Sequence, residues 1–97
     1  MDEIYLAERL AALGHITRLR ALKELLAAPA GLPAGQLAGR LRIRQNSLSP
    51  HLASLARNGL IIGAREGREV IYTARADNVN LLLQQLQISF SAPSVKM

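Results

Sequence analysis

The sequence predicts a small, mostly α-helical domain with one β-hairpin, in the order helix, helix, helix, helix, strand, strand, helix. Leucine, isoleucine and alanine recur at helical spacing over most of the 97 residues. Residues 60–65 and 68–74 are instead rich in isoleucine, valine, tyrosine and threonine. They flank Glu66-Gly67, a pair typical of a tight hairpin turn. The length fits a single domain over residues 1–97, of which 91–97 are expected to form a flexible tail.

The first two helices are predicted over residues 3–13 and 16–28, where leucines repeat on one face. Gly14 ends the first helix. Pro29 ends the second, because proline cannot donate a hydrogen bond to the preceding turn.

A loop at residues 30–32 leads to a short third helix that ends near Leu41. Pro33 is expected at its first position, where the fixed φ of proline suits a helix. Gly35 and Gly39 weaken the helix by about 1 kcal/mol each, so tertiary packing is needed to hold it.

The fourth helix is predicted over residues 45–58. Leu48, Leu52 and Leu55 form one apolar stripe, and Gly59 is the expected residue just past the helix end. This helix therefore buries one face and exposes the other.

The last helix, residues 76–90, is apolar on two sides. One side carries Val79, Leu82, Leu83, Leu86 and Phe90, and another carries Leu81 and Ile88. A thin domain rarely needs such a helix unless a second chain covers one side, so the pattern indicates self-association.

A short helix, a tight turn at residues 42–44, a second helix and a basic hairpin together predict a winged helix-turn-helix. The charge supports this interpretation. The chain carries 12 Lys and Arg against 7 Asp and Glu, a net charge of +5. Seven arginines and two glutamates lie between Arg40 and Arg75, a local charge of 7 − 2 = +5, so the rest of the chain is neutral. A nucleic-acid partner is indicated, although a merely solvated basic surface is the alternative.

The N-terminal half of the fourth helix is expected to turn small polar groups outward. At about 100° per residue, Asn46 and Pro50 lie opposite the leucine stripe. Recognition helices present this kind of surface to base edges in the major groove of double-stranded DNA. The predicted DNA contacts of this helix are Arg44, Gln45, Asn46, Ser47, Ser49, Pro50 and His51.

Other roles stay open for some of these residues. Asn46 or Ser47 can cap the helix instead. His51 lies at the edge of the leucine stripe, so a half-buried histidine bonded to the backbone is at least as good an interpretation as a base contact. Pro50 lies just past the first turn, where it either kinks the helix or marks an irregular start.

Further arginines are expected to contact the DNA backbone. Two of them flank the glycine of the hairpin, which suits a wing lying on the minor groove or the backbone. Glu66 and Glu69 can instead pair with these arginines. The predicted backbone and wing contacts are Arg40, Arg42, Arg57, Arg65 and Arg68.

Composition excludes several other classes. The absence of cysteine excludes disulfides, thiolate metal sites and thiol chemistry. His15 and His51 lie in different predicted elements without clustered carboxylates, so we expect no metal site, no cofactor and no enzyme activity. The apolar stretches are too short for a membrane span and no secretory signal is visible, so we expect a cytoplasmic protein.

Three segments resemble the ArsR/SmtB-type bacterial regulators. Residues 13–20, LGHITRLR, look like the family's ALADPTRLRIL stretch. Residues 37–60, LAGRLRIRQNSLSPHLASLARNGL, are similar to its helix-turn-helix pattern LAxxLxxsxsTvSxHLxxLxxaGL. Arg65-Glu66-Gly67-Arg68 with Ile71-Tyr72 resembles its wing, RxGRxxxY. The similarity covers residues 6–90.

The resemblance implies a homodimer that represses transcription from an inverted-repeat operator until an effector releases it. Family dimers form through the first and last helices. The residues this implies for the interface are Leu6, Leu10, Val79, Leu82, Leu83, Leu86 and Phe90.

The family's known sensing ligands are missing. Residues 32–37 contain no cysteine motif, and Asp77 stands without the histidines that accompany it in some members. No thiol-based inducer can be carried over, so an unknown small molecule, a partner protein or no effector at all are the choices left. A winged helix that binds only proteins is the alternative function.

Overall fold

The computed structural model describes residues 2–91, so most of the expected tail lies outside the described residues. The helices are α1 Glu3–Leu13, α2 Ile16–Leu26, α3 Ala34–Leu41, α4 Gln45–Arg57 and α5 Ala76–Phe90. The strands are β1 Leu32–Pro33, β2 Ile61–Glu66 and β3 Glu69–Ala74. The predicted winged helix-turn-helix is confirmed, with one strand more than the sequence indicated.

Strand β1 occupies part of the segment interpreted as a loop. It pairs antiparallel with β3, Leu32 opposite Tyr72 and Pro33 opposite Ile71, so that β3 is the middle strand of three. The placement of Pro33 at the first helical position is wrong. Pro33 is the N-cap of α3 and has extended backbone, which its place on an edge strand allows.

The hairpin turn is also displaced by one residue. Glu66 and Glu69 are the last paired residues of β2 and β3, so Gly67-Arg68 forms the turn rather than Glu66-Gly67. Gly67 has φ +64, a left-handed conformation that glycine adopts without steric cost.

Helices α3 and α4 end in the same hydrogen-bond motif. After α4, Gly59 has φ +72, its N–H donates to the Ala56 carbonyl, and the N–H of Leu60 donates to the Leu55 carbonyl. This is the Schellman pattern that Gly59 predicted. After α3 the same two bonds form around Arg42, a non-glycine residue with φ +57.

The core lies between the five helices and the base of the sheet. Its largest fully buried side chains are all leucines, Leu25, Leu37, Leu48, Leu52, Leu55, Leu60 and Leu82. The predicted stripe on α4 is therefore confirmed as its buried face. Pro50 lies inside α4, and the helix continues through it to Arg57.

The described chain is elongated. It measures 58 × 23 × 22 Å, with a radius of gyration of 15.2 Å, against about 12–13 Å for a compact domain of this length. No helix within residues 2–91 is long and apolar enough to cross a membrane.

Candidate nucleic-acid interface

The outer face of α4 presents a continuous row of polar and small side chains. Exposed residues along its first turns and at its N-cap are Arg44, Gln45, Asn46, Ser47, Ser49 and Pro50. The Ser49 hydroxyl donates 3.0 Å to the Gln45 carbonyl oxygen. The row faces away from the leucine core, which is the orientation that base readout requires.

The N-terminus of α4 has no side-chain cap. Its N-cap is Arg44, which is extended and makes no capping hydrogen bond, so neither Asn46 nor Ser47 fills the capping role left open above. The N-cap of α3, Pro33, offers no side-chain cap either. Uncapped N–H groups with the helix dipole behind them favour an anion.

A groove of about 370 Å³ separates α4 from the wing. It is lined by Pro33, Ala34, Gly35, Gln45, Ser49, Arg68, Glu69, Val70 and Tyr72. The groove therefore joins the start of α3, the start of α4 and the wing tip. Strand β1 fixes this arrangement because it pairs with β3 directly before α3 begins.

The wing arginines are exposed. Arg65 lies on β2 opposite Val70, and Arg68 lies in the turn. Glu66 and Glu69 are paired across the two strands. The ion pairs among residues 2–91 lie elsewhere, so the described wing does not form the Glu–Arg pairing weighed above.

The remaining predicted backbone contacts have different surroundings. Arg40 forms an ion pair with Glu24 of α2, with 3.4 Å between Nη1 and Oε2. Arg42 is exposed in the turn between α3 and α4. Arg57, at the end of α4, is exposed and borders a separate groove between α1, α2 and α4.

His51 is half-buried and is held by side chains rather than by the backbone. Arg18 Nε of α2 donates 3.2 Å to His51 Nδ1, and the His15 ring lies 4.3 Å away between centroids. Burial lowers the pKa of His51 below its ordinary value of 6.5, and the neighbouring His15 and Arg18 lower it further. The packing of α2 against α4 thus brings together His15 and His51, which the sequence places in different elements.

Arg18 is a site residue that the sequence reasoning missed. It supports His51 from α2, and nothing in the local sequence around either residue signals the contact. His15 is occupied as well, since its Nδ1 accepts a hydrogen bond from the Thr17 N–H, 3.1 Å, at the start of α2. Within residues 2–91, no three histidines and carboxylates cluster as a metal site would require.

The residues predicted for the α1–α5 interface divide by burial. Leu6, Val79 and Leu82 lie in the core of the single chain, Leu10 and Leu86 are half-buried, and Leu83 and Phe90 are exposed. Four further large apolar residues on the same two helices are exposed, namely Ile4, Tyr5, Leu81 and Ile88. The exposed apolar surface of α1 and α5 thus includes residues beyond those predicted for the interface.

Comparison with known proteins places this chain among regulators. A helix-turn-helix domain family model matches residues 13–63, from the end of α1 to the first strand of the wing. The transcriptional activator HlyU of Vibrio cholerae is 38% identical over 55 residues, which are 57% of this chain and 51% of HlyU. The match thus spans about half the length of that curated relative.

Solved structures extend the similarity over nearly the whole chain. HlyU from V. cholerae has a TM-score of 0.74 and 31% identity, and the match covers 93% of this chain and 96% of that one. An ArsR-like transcriptional regulator from Rhodococcus sp. RHA1 has a TM-score of 0.77 and 32% identity, covering 90% and 80%.

A third structure shares the fold at 24% identity, with a TM-score of 0.73 and coverage of 88% and 77%. It is the homodimeric winged helix-turn-helix DNA-binding domain of Mb0332 from Mycobacterium bovis, a possible ArsR-family transcriptional regulator. The HlyU and Rhodococcus relatives are transcriptional regulators, the class of protein that the sequence predicted.

Proposed function

Because this chain belongs to the ArsR-type family of winged helix-turn-helix transcriptional regulators, we propose that it binds an inverted-repeat operator in double-stranded DNA as a homodimer and represses transcription there. The observation that carries the proposal is the outer face of α4. Its polar N-terminal row lies beside a wing whose arginines are exposed. An α-helix of this kind fits the major groove and a basic hairpin fits the neighbouring backbone or minor groove.

Two kinds of contact are proposed. Gln45, Asn46, Ser47 and Ser49 read base edges, because their amide and hydroxyl groups match the donors and acceptors of the major groove. Arg65 and Arg68 of the wing contact phosphates or the minor groove, and the free N–H groups at the uncapped starts of α3 and α4 donate hydrogen bonds to phosphate oxygens. His51 supports the helix from its inner edge through Arg18 rather than reading a base.

Dimerisation is proposed through α1 and α5. Exposed apolar side chains gather on these two helices, and a groove of about 300 Å³ between them is lined by Glu3, Leu6, Ala7, Leu10, Ser89 and Phe90. A second copy of the chain covers this surface and sets two recognition helices about one helical turn of DNA apart.

The proposal is tested by footprinting and gel shift on the protein's own promoter region at a stated salt concentration. We expect a protected inverted repeat bound at least 10³-fold more tightly than random DNA of equal length. Equal affinity for both DNAs would overturn sequence-specific binding. A promoter–reporter fusion then gives the sign of control, and we expect higher expression when the protein is absent.

Two variants separate base reading from backbone binding. Asn46→Ala should weaken binding to the operator by about 10-fold or more and leave binding to random DNA unchanged. Arg65→Ala should weaken binding to the operator and to random DNA equally. It should also lower the slope of log affinity against log salt by about 0.9, the value for one phosphate contact. The same response from both variants would mean that α4 does not read bases.

We propose that any effector acts without thiol chemistry, since the chain has no cysteine. Release of the operator is measured against a panel of metal ions and in their absence. Strong release by one ion at a stoichiometric amount would contradict the expectation that the two histidines form no metal site.

A further inference from the structure

A second basic groove lies on the side of α2. It has a volume of about 320 Å³ and is lined by Arg20, Lys23, Glu24, Arg40, Leu41 and Arg42. Four of these six residues are cationic and one is acidic. By sequence, Arg20 and Lys23 belong to the part of the chain whose charges sum to zero. In the folded chain they line the same groove as Arg40 and Arg42 of the basic segment.

The charges of this groove are only partly neutralised. Glu24 pairs with Arg40 at 3.4 Å, and both side chains are about two-fifths exposed. Arg20, Lys23 and Arg42 are exposed, and none of them forms an ion pair within residues 2–91. The described groove thus presents three cations to an incoming anion.

The groove is continuous with the recognition unit. Arg42 is fixed in its left-handed conformation by two hydrogen bonds, Arg42 N–H to Gly39 and Ile43 N–H to Ala38. Arg44 follows as the N-cap of α4. A strand of DNA backbone beside the start of α4 therefore has a cationic path from Arg44 through Arg42 onto α2.

We propose that this groove binds backbone phosphates flanking the bases that α4 reads, with Arg20 and Lys23 as phosphate contacts on α2. The inference rests on the proposed function. An acidic protein partner is the weaker interpretation, because Leu41 is the single apolar residue lining the groove. Protein interfaces have an apolar centre, whereas phosphate contacts need only cations and N–H donors.

The test is the salt dependence of operator binding by the full chain carrying both Arg20→Ala and Lys23→Ala. Each lost phosphate contact lowers the slope of log affinity against log salt by about 0.9. Two lost contacts lower the slope by about 1.8. Raising the salt from 50 to 200 mM should therefore weaken DNA binding by the double variant by a factor about ten times smaller than for the unsubstituted protein. Its ratio of operator to random-DNA affinity should stay unchanged, since phosphates carry no sequence information.

A variant that adds net positive charge to the groove and a control that removes a cation elsewhere sharpen the test. Glu24→Gln removes the acid and releases Arg40, so it should tighten binding and steepen the slope. Arg75→Ala removes one positive charge, against two in the double variant, but Arg75 lies outside the groove at the start of α5, where it pairs with Asp77 at 3.3 Å. It should leave the slope unchanged. Urea unfolding of each variant checks that the chains are folded.

The outcomes distinguish this inference from the proposed function. If the unsubstituted chain does not prefer its operator, the proposed function fails. If it does, but the double variant has the same slope as Arg75→Ala, phosphate binding in this groove is overturned. Loss of binding to polyglutamate with unchanged DNA binding would assign the groove to an acidic protein and would overturn the inference too.

Discussion

Arg42 holds the tight turn between the two DNA-binding helices in a conformation that L-residues rarely adopt. Its φ of +57 allows the Schellman bonds that end α3, and a glycine would make the same bonds without a steric penalty. The left-handed conformation costs a non-glycine residue about 1–2 kcal/mol. The chain thus keeps a positive charge at the turn and loses stability there.

Replacing Arg42 by glycine should therefore stabilise the protein. We expect the free energy of unfolding in urea to rise by about 1 kcal/mol, because the relief of strain exceeds the added freedom of the unfolded chain. Arg40→Gly is the matched control, since Arg40 lies inside α3 and glycine costs about 1 kcal/mol in a helix. Equal destabilisation by both substitutions would contradict this explanation of the turn.

His51 should make stability depend on pH. Burial, His15 and Arg18 lower the pKa of His51 in the folded chain, so the unfolded chain binds more protons below about pH 6.5. The free energy of unfolding should be highest above that pH and decrease as the pH falls through it. Urea titrations between pH 5 and 8 measure this slope.

Asparagine is the informative replacement for His51. In His51→Asn the side-chain oxygen takes the place of Nδ1 as the acceptor for Arg18, and the residue no longer titrates. The slope of stability against pH should become smaller in this variant. An unchanged slope would show that His51 does not cause it.

At the scale of elements, β1 is a two-residue strand, and the residue directly before it must be glycine. Gly31 has φ +91, and a Cβ there would lie 2.8 Å from the Tyr72 carbonyl oxygen and from Thr73 Cγ2. The chain passes β3 so closely that a side chain at this position displaces the pairing. Gly31 thus allows β1 to pair with β3 of the wing, and β1 leads directly into α3. The wing is tied to the start of α3 in this way.

Gly31→Ala should lower the free energy of unfolding by about 2 kcal/mol, from the strained φ and the close contact together. Gly39→Ala provides the contrast. Gly39 lies inside α3 with no atom within 4 Å of its Cβ position, so alanine there should stabilise the chain by about 1 kcal/mol. Thermal or urea unfolding measures both. Destabilisation by Gly39→Ala as well would show that α3 does not tolerate a side chain at that position.

Sequence patterns predicted most of these elements because each has a local signal. Leucine periodicity placed the five helices, with α5 at its observed bounds and α2 ending two residues early, at Leu26. Strand β1 has no such signal, because two residues cannot show alternation and Pro33 suggests a helix start. Pro50 is an opposite case, in which a residue expected to disturb a helix is accommodated within α4.

The site was predictable only in part. The outward row of α4 follows from helical angles alone, and the structure exposes those side chains. The contact between Arg18 and His51 and the groove shared by α2 and α3 depend on how helices pack, which no local spacing records. Whether the exposed row contacts DNA stays a prediction.

At the scale of the molecule, the elongated shape leaves a large apolar surface without a cover. A chain 58 Å long and about 22 Å wide buries less of itself than a compact domain of equal length. Much of what stays exposed lies on α1 and α5, where Ile88 and Phe90 are each about seven-tenths exposed. The proposed second copy of the chain would cover this surface.

Leu83→Glu should convert the proposed dimer into a monomer, because it places a charge on the side of α5 where Leu83 and Phe90 are exposed. Sedimentation equilibrium measures the change. Affinity for DNA with both half-sites should fall by about 10²–10⁴-fold, since the two recognition helices then bind independently. Ile62→Glu is the control, an exposed apolar residue on β2 of the wing, and should leave the dimer intact. A Leu83→Glu dimer as tight as the unsubstituted one would place the interface elsewhere.

The pairing of β1 with β3 has one more consequence for a protein that acts as proposed. It ties the wing to the start of α3, which packs against the recognition helix α4, so the fold sets the distance from α4 to the wing tip. DNA whose minor groove has another width at that distance must deform to fit, at an energy that depends on its base sequence. The chain would thereby select among operators by the stiffness of base pairs that it never touches.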